Sequence, residues 1–271
     1  MVIFVSAGPD RSRPTPLQEL YREFENLSEK TGGPYYLDNY SSDWNWPTRG
    51  IYIFFTPDTN IEADPHSEWT VARIGTVGVA NGSSNTLMNR MRQHRGNKKG
   101  KYAGGGNHRG SIFRLHVGNA IIHKNDLHNE YPHWGKSNSN VPDDISTTEI
   151  REQEHPLEER VSEYIRSLPF LILNVPGEPG PKSDRARIEK QLLSTFGFYH
   201  RTKDYLRDDR WLGTFSPKPE VYKTGLWNIN HVDGFCSPSV LHDVQQYLEQ
   251  TEPLTEDQNE DSTQINQKST G

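Results

Sequence analysis

The sequence predicts an α+β fold: a small, mainly antiparallel sheet flanked by helices, with additions at its N- and C-terminal ends. Two observations carry this. Short apolar runs rich in branched or aromatic side chains occur at 51–55, 112–117 and 168–175, each bounded by Gly, Pro or polar residues, as buried strands are. Other stretches place their apolar residues at the three-to-four spacing of a helix face.

Residues 1–48 read as an N-terminal addition. Within it, 2–5 is a candidate strand and 15–30 a helix, with Pro16 in its first turn and Leu17, Leu20, Tyr21, Phe24 and Leu27 at helical spacing. Trp44 and Trp46 follow in a polar loop. The core is expected over 49–200. A strand at 51–55 is joined to another at 70–75 by a long acidic connection, 57–68. Residues 83–94 read as a helix capped by Ser83 or Ser84, with Leu87, Met88 and Met91 as its apolar stripe. A loop rich in Gly and Lys, 96–106, leads to the strand at 112–117. Residues 125–156 are polar and without periodicity, and read as loop. A helix at 157–168, a strand at 170–175, a Gly/Pro turn at 176–182 and a helix from Ser183 or Asp184 to Phe196 complete the core. Residues 201–250 are a C-terminal addition, loop-rich to 240 with a short helix at 242–249. From Thr251 to Gly271 the chain is polar and almost free of apolar groups, the composition of a disordered tail.

The single cysteine, Cys236, rules out an internal disulfide and any cysteine-based zinc site, and suits a reducing cytoplasm. No run approaches the ~20 apolar residues of a membrane span, and residues 1–8 lack the basic leader of a signal peptide. A soluble, cytoplasmic protein without a membrane partner is expected. The formal net charge is −6, but the charges are segregated. Between Trp69 and Asn125 there is no Asp or Glu, and there are ten Lys or Arg. A local basic face of this kind attracts phosphate even on an acidic protein.

Several reactive side chains stand at element ends. Tyr52 lies in the first strand, and the next strand ends in Arg73-Ile74-Gly75. Arg90 and His94 share one face of the following helix, beside the basic loop. Glu189 sits among the apolar positions Ile188, Leu192 and Leu193, with Arg185 one turn earlier as a structural ion-pair partner. If they converge, a phenol, guanidinium groups, an imidazole and a carboxylate suit phosphodiester hydrolysis: the carboxylate holds a hard cation, arginine neutralises phosphate charge, and the phenol or imidazole moves a proton. Other features carry less. His116, His123, His128 and His133 match no zinc spacing and read as loop or strand surface. Residues 98–106 lack the Gly-Lys-Ser/Thr ending of a P-loop. Glu158, Glu159 and Glu163 read as a solvated helix face.

The segments RGIYIFF, ARIG, TLMNRMRQH, NHRGSIFRLHV, RARIEKQLL and GLWNIN, in that order, resemble the signature of GIY-YIG nucleases over residues 49–232. The resemblance implies a metal-dependent endonuclease acting on DNA. It places Gly50 and Tyr52 in the first motif, with Tyr52 near the attacking water, and Gly75 at the close of the second. Arg90 would contact the scissile phosphate, and His94 would assist proton transfer or orient the tyrosine. His108 falls where some homing members have another active-site histidine. Glu189 would be the metal ligand, and Asn228 resembles a late asparagine that supports the site. The second-motif tyrosine is absent and Arg73 replaces it. Arginine stays protonated and is no general base, so Tyr52 is the base candidate and Arg73 a charge stabiliser.

A single carboxylate suits one Mg2+ or another divalent ion such as Mn2+, completed by water and substrate phosphate. Arg92, Arg95, Lys98, Lys99, Lys101 and Arg109 are the expected DNA contacts. Restriction or defence is the expected setting, and double-strand cutting from one site per chain favours a homodimer. The rival reading is a DNA-binding module that keeps the fold without catalysis, and RNA stays open as substrate.

Overall fold

The computed structural model describes residues 14–39, 41–56, 69–136, 145–202 and 210–256. At its centre is an antiparallel sheet of three strands in the order β2-β1-β3, formed by β1 (Gly50–Thr56), β2 (Thr70–Thr76) and β3 (Phe170–Asn174). Every residue of β1 is buried, so both faces of the sheet are covered. Alternation divides them. Tyr52 and Phe54 point into one apolar cluster, and Ile51, Ile53 and Phe55 into the other. In register, Tyr52 faces Gly75 and Phe54 faces Arg73, so these four share a face. A bulge between Phe54 and Phe55 then shifts the pairing by one residue.

The first face is covered by α2 (Leu87–Arg95), α3 (Ile112–Asn125) and α4 (Thr147–Ser167), which contribute Leu87, Met91, Phe113, Val117, Leu157 and Val161. The second is covered by α1 (Pro16–Thr31), α5 (Asp184–Thr202) and α7 (Val240–Glu249). α1 begins where the sequence places it. Thr15 caps it, Gln18 completes a capping box, and Leu17, Leu20, Tyr21, Phe24 and Leu27 are buried on the sheet. The segment expected as an addition thus builds one of the two cores. A short helix, α6 (Pro219–Thr224), lies in the stretch expected to be loop-rich.

Besides the longer α5 and α7, four departures from expectation have a physical reason. Residues 112–117 are not a strand but the first turns of α3, capped by Ser111. The short apolar run continues into Ala120 and Ile121, so Phe113, Val117, Ala120 and Ile121 fall on one helical face. α4 begins at Thr147, inside the expected loop, with Ser146 and Glu149 forming a capping box. Its periodicity is hidden because two positions of its buried face are the charged Glu154 and Glu158, and because Pro156 lies within it. α2 starts at Leu87 with Thr86 as its cap, later than the expected Ser83 or Ser84. The expected tail begins packed: Thr251 and Leu254 are buried, and Trp44 bridges to Glu256. The strand expected at 2–5, the connection 57–68 and residues 257–271 lie outside the described residues.

Arg185, expected to pair with Glu189, is spent elsewhere. It is fully buried, and its guanidinium donates to the backbone carbonyls of Val77, Pro176, Gly177, Gly78 and Glu178. It ties the end of β2 to the Gly/Pro turn after β3 and sets where α5 begins. Arg185→Met strands these carbonyls and destabilises the fold by about 3 kcal/mol. In urea unfolding the midpoint should fall with an unchanged slope; an unmoved midpoint would mean water replaces the guanidinium at no cost.

Candidate active site

Tyr52 crosses its strand partner at close range. A Cβ on Gly75 would lie 2.2 Å from Tyr52 Oη, so only glycine leaves room for the phenol. The phenol oxygen lies 3.1 Å from His94 Nε2, and His94 Nδ1 lies 3.2 Å from Ser111 Oγ. All three residues are buried. Phe54 and Phe113 pack edge-on against the imidazole, with ring centroids 5.9 and 5.4 Å away. Burial pushes the His94 pKa well below its ordinary value, and the nearby charges of Arg73, Arg90 and Arg114 push it further. The imidazole is therefore neutral at physiological pH.

Arg73 lies on the same face of β2, its guanidinium 5.0 Å from the Phe113 ring centroid, and donates to the carbonyl of Trp227. The segment after α6 holds this outer edge. Trp227 N–H donates to Ala72 O at 2.7 Å, and the Asn228 side chain accepts from Ile74 N–H at 3.2 Å and donates to Ile74 O at 2.8 Å. Asn228 thus stands in for a further strand on the β2 backbone at Ile74. Arg90, half-buried on α2, donates to Gln93 at 3.0 Å. Glu189, half-buried on α5, accepts the backbone N–H of Thr76. Burial raises its pKa to about 7, against the opposing pull of Arg73, the Thr76 N–H and Arg90. Both arginines thus act electrostatically on His94 and on Glu189. Among the described residues no three His, Cys, Asp or Glu side chains gather as a metal site. A carboxylate whose pKa is raised by burial gains from a hard cation that stabilises its charge and takes its other ligands from water and phosphate.

His108 stands in a different constellation. It is buried and stacked on Trp134 at 3.8 Å between centroids; its backbone N–H donates to Glu158, its Nδ1 lies 3.0 Å from the same carboxylate, and its Nε2 accepts from Gly135 N–H. Both ring nitrogens are occupied by structural partners. Arg114, fully buried, donates to Glu158, Ser162 and the His94 carbonyl, joining α2, α3 and α4. Burial alone would raise the Glu158 pKa, but the hydrogen bond from His108 and the Arg114 charge hold it below the ordinary value. Glu158 is therefore an ionised buried anchor, not the solvated residue expected. His116, expected at the surface, is likewise buried, with burial lowering its pKa to about 4.

The acid-free segment meets its counter-charges in space. Lys101 pairs with Glu152, Arg109 with Glu154 and Arg114 with Glu158, all three carboxylates on α4. Lys101 and Arg109, expected as DNA contacts, thus carry carboxylate partners. Arg92, Arg95, Lys98 and Lys99 instead line a cleft of ≈ 550 Å³ together with Arg151, and no acidic residue lines it. Arg151 lies 4.0 Å over the Tyr102 ring. Sequence reasoning missed Ser111, Arg114 and Arg151. Ser111 was findable as a helix cap, Ser followed by a periodic run, had 112–117 been read as a helix.

The family described as GIY-YIG domain matches residues 11–254. No curated protein and no solved structure matches the chain.

Gly75→Ala tests the closeness of Tyr52 to the β2 backbone. The added methyl must displace the phenol, at a cost of about 1–3 kcal/mol for overpacking, and break its contact with His94. Urea unfolding should register the first effect and the His94 ring resonances the second; unchanged resonances would show that the phenol does not need the bare backbone.

Proposed function

The chain belongs to the GIY-YIG family, and on that premise we propose that it is an endonuclease that hydrolyses DNA phosphodiester bonds with the help of a divalent cation. The observation that carries the reading is the set of groups at β2: Tyr52 hydrogen-bonded to a neutral His94, two guanidinium groups, and a half-buried carboxylate at the strand's end. Tyr52 is the base facing the attacking water. Arg73 and Arg90 stabilise the charge that develops on the phosphate, and tethering to Trp227 and Gln93 keeps both in place. Glu189 would hold the ion, which supplies Lewis-acid stabilisation of phosphate charge. The preferred ions are Mg2+ and Mn2+. The acid-free cleft of Arg92, Arg95, Lys98, Lys99 and Arg151 would take the DNA backbone beside the cut.

Restriction or defence is the proposed setting, and a homodimer the arrangement that cuts both strands. No helix among the described residues is long and apolar enough to cross a membrane. The replacement of the second-motif tyrosine by Arg73 supports one rival, a DNA-binding chain without catalysis. Plasmid nicking with Mg2+ and with chelator separates the two: binding without nicking favours the rival. A parallel RNA substrate tests the sugar.

Glu189→Gln should abolish nicking while leaving DNA affinity within about threefold, because metal-ion stabilisation is worth several kcal/mol of transition-state energy. Near-normal nicking would remove Glu189 from the site.

The Glu189 pKa supplies an independent prediction. Its value in the fold, about 7, exceeds its ordinary 4.5, so the folded chain holds this proton more tightly than the unfolded chain. The stability from this proton is complete below the ordinary value and is lost as pH rises through about 7. A cation on the ionised carboxylate offsets that loss. Mg2+ should therefore raise the melting midpoint at about pH 8 and scarcely at about pH 5.5, and not at all in Glu189→Gln. An equal rise at both pH values would place the ion elsewhere.

A further inference from the structure

Ser111 caps α3. Its Oγ accepts the backbone N–H of Arg114 at 3.4 Å and lies 3.2 Å from His94 Nδ1. Both Ser111 and His94 are buried. The hydroxyl carries one proton, which needs an acceptor. The Arg114 N–H can only donate, so among the described partners of Ser111 Oγ the one able to accept is His94 Nδ1. Were Nδ1 protonated, the oxygen would accept twice and its own proton would be left buried without an acceptor, a state native interiors avoid.

We infer that Ser111 donates to His94 Nδ1 and thereby fixes His94 as the Nε2–H tautomer, whose ring proton is donated to Tyr52 Oη. The surroundings permit no second ring proton: Arg73, Arg90 and Arg114 place positive charge around His94, and Phe54 and Phe113 offer only neutral ring edges. The consequence decides between two roles for this histidine. His94 is not the base that takes the phenol proton. It is a donor aimed at the phenol oxygen, so it orients Tyr52 and leaves the phenol's own proton pointing away from the imidazole. Ser111 acts through His94 and is a positioning residue. The tautomer stands on geometry alone; its catalytic consequence rests on the nuclease reading.

The test is the nitrogen-15 spectrum of the His94 ring in the full chain, assigned against His94→Gln, with nicking measured in parallel. The wild-type spectrum should show an unprotonated Nδ1 and a protonated Nε2. Ser111→Thr keeps both the cap and the donor, and should preserve tautomer and rate. Ser111→Asp also keeps the cap, but its carboxylate can only accept, so it should draw the proton to Nδ1 and slow nicking by about 100-fold, within the range attributed to a positioned proton-transfer group. Ser111→Ala removes the donor and should give mixed tautomers and an intermediate rate. A protonated Nδ1 in the wild type overturns the inference. Wild-type nicking by Ser111→Asp with an inverted tautomer overturns its catalytic consequence. The Nε2–H tautomer in a chain that nicks nothing supports the inference and overturns the nuclease reading instead.

Discussion

Tyr52 stands opposite Gly75 in a strand pair whose one irregularity falls between Phe54 and Phe55, and the side chains of the site take their positions from that register. A slip by one residue would send Tyr52 and Phe54 into the α1–α5 core and leave Ile51 and Ile53 facing His94. The register also puts Arg73 beside Phe54, where its guanidinium reaches both the Phe113 ring and the Trp227 carbonyl. The bulge comes one step later, so it re-aims the start of β2 without disturbing the end that carries Arg73 and Gly75.

A second constraint is electrostatic. Arg114 and Glu158 are buried together, and taking both charges out of water is expensive unless their remaining hydrogen-bonding groups are satisfied. They are: Arg114 also reaches Ser162 and the His94 carbonyl, and Glu158 also receives His108. A pair so enclosed adds little net stability, but it tolerates few alternative packings. It therefore fixes where α2, α3 and α4 meet, and with them the height of His94 above the sheet. Four other cations of the acid-free segment, Arg92, Arg95, Lys98 and Lys99, line one cleft with Arg151, and no acidic residue lines it.

The parts of this arrangement legible in the sequence are those governed by local pattern. Strands β1, β2 and β3, the extent and buried face of α1, and the order Tyr52, Arg73, Arg90, His94, Glu189, Asn228 all follow from short-range spacing and motif order. The parts not legible depend on partners distant in the chain. Arg109 could be read as a phosphate contact because Glu154 lies 45 residues away. His108 could be read as a site residue because nothing local announces Trp134 and Glu158. The helix at α3 was obscured because a short apolar run has no decisive period, and with it went Ser111, whose role exists only if residue 111 begins a helix.

The clamp on the outer edge of β2 has a consequence for the order in which the molecule matures. Both rims of the sheet are plugged by single residues from remote parts of the chain: Tyr35 and Thr251 on β3, Trp227 and Asn228 on β2. Such plugs deny the rims to strands of other molecules, the route by which sheets aggregate. The plug on β2 is separated from Arg73 by 154 residues, so a nascent chain can have made every strand and still present a bare rim to its neighbours on the ribosome. Arg73 acquires its tether only when that rim closes. Protection from aggregation and completion of the arginine's setting are thus one late event in biosynthesis.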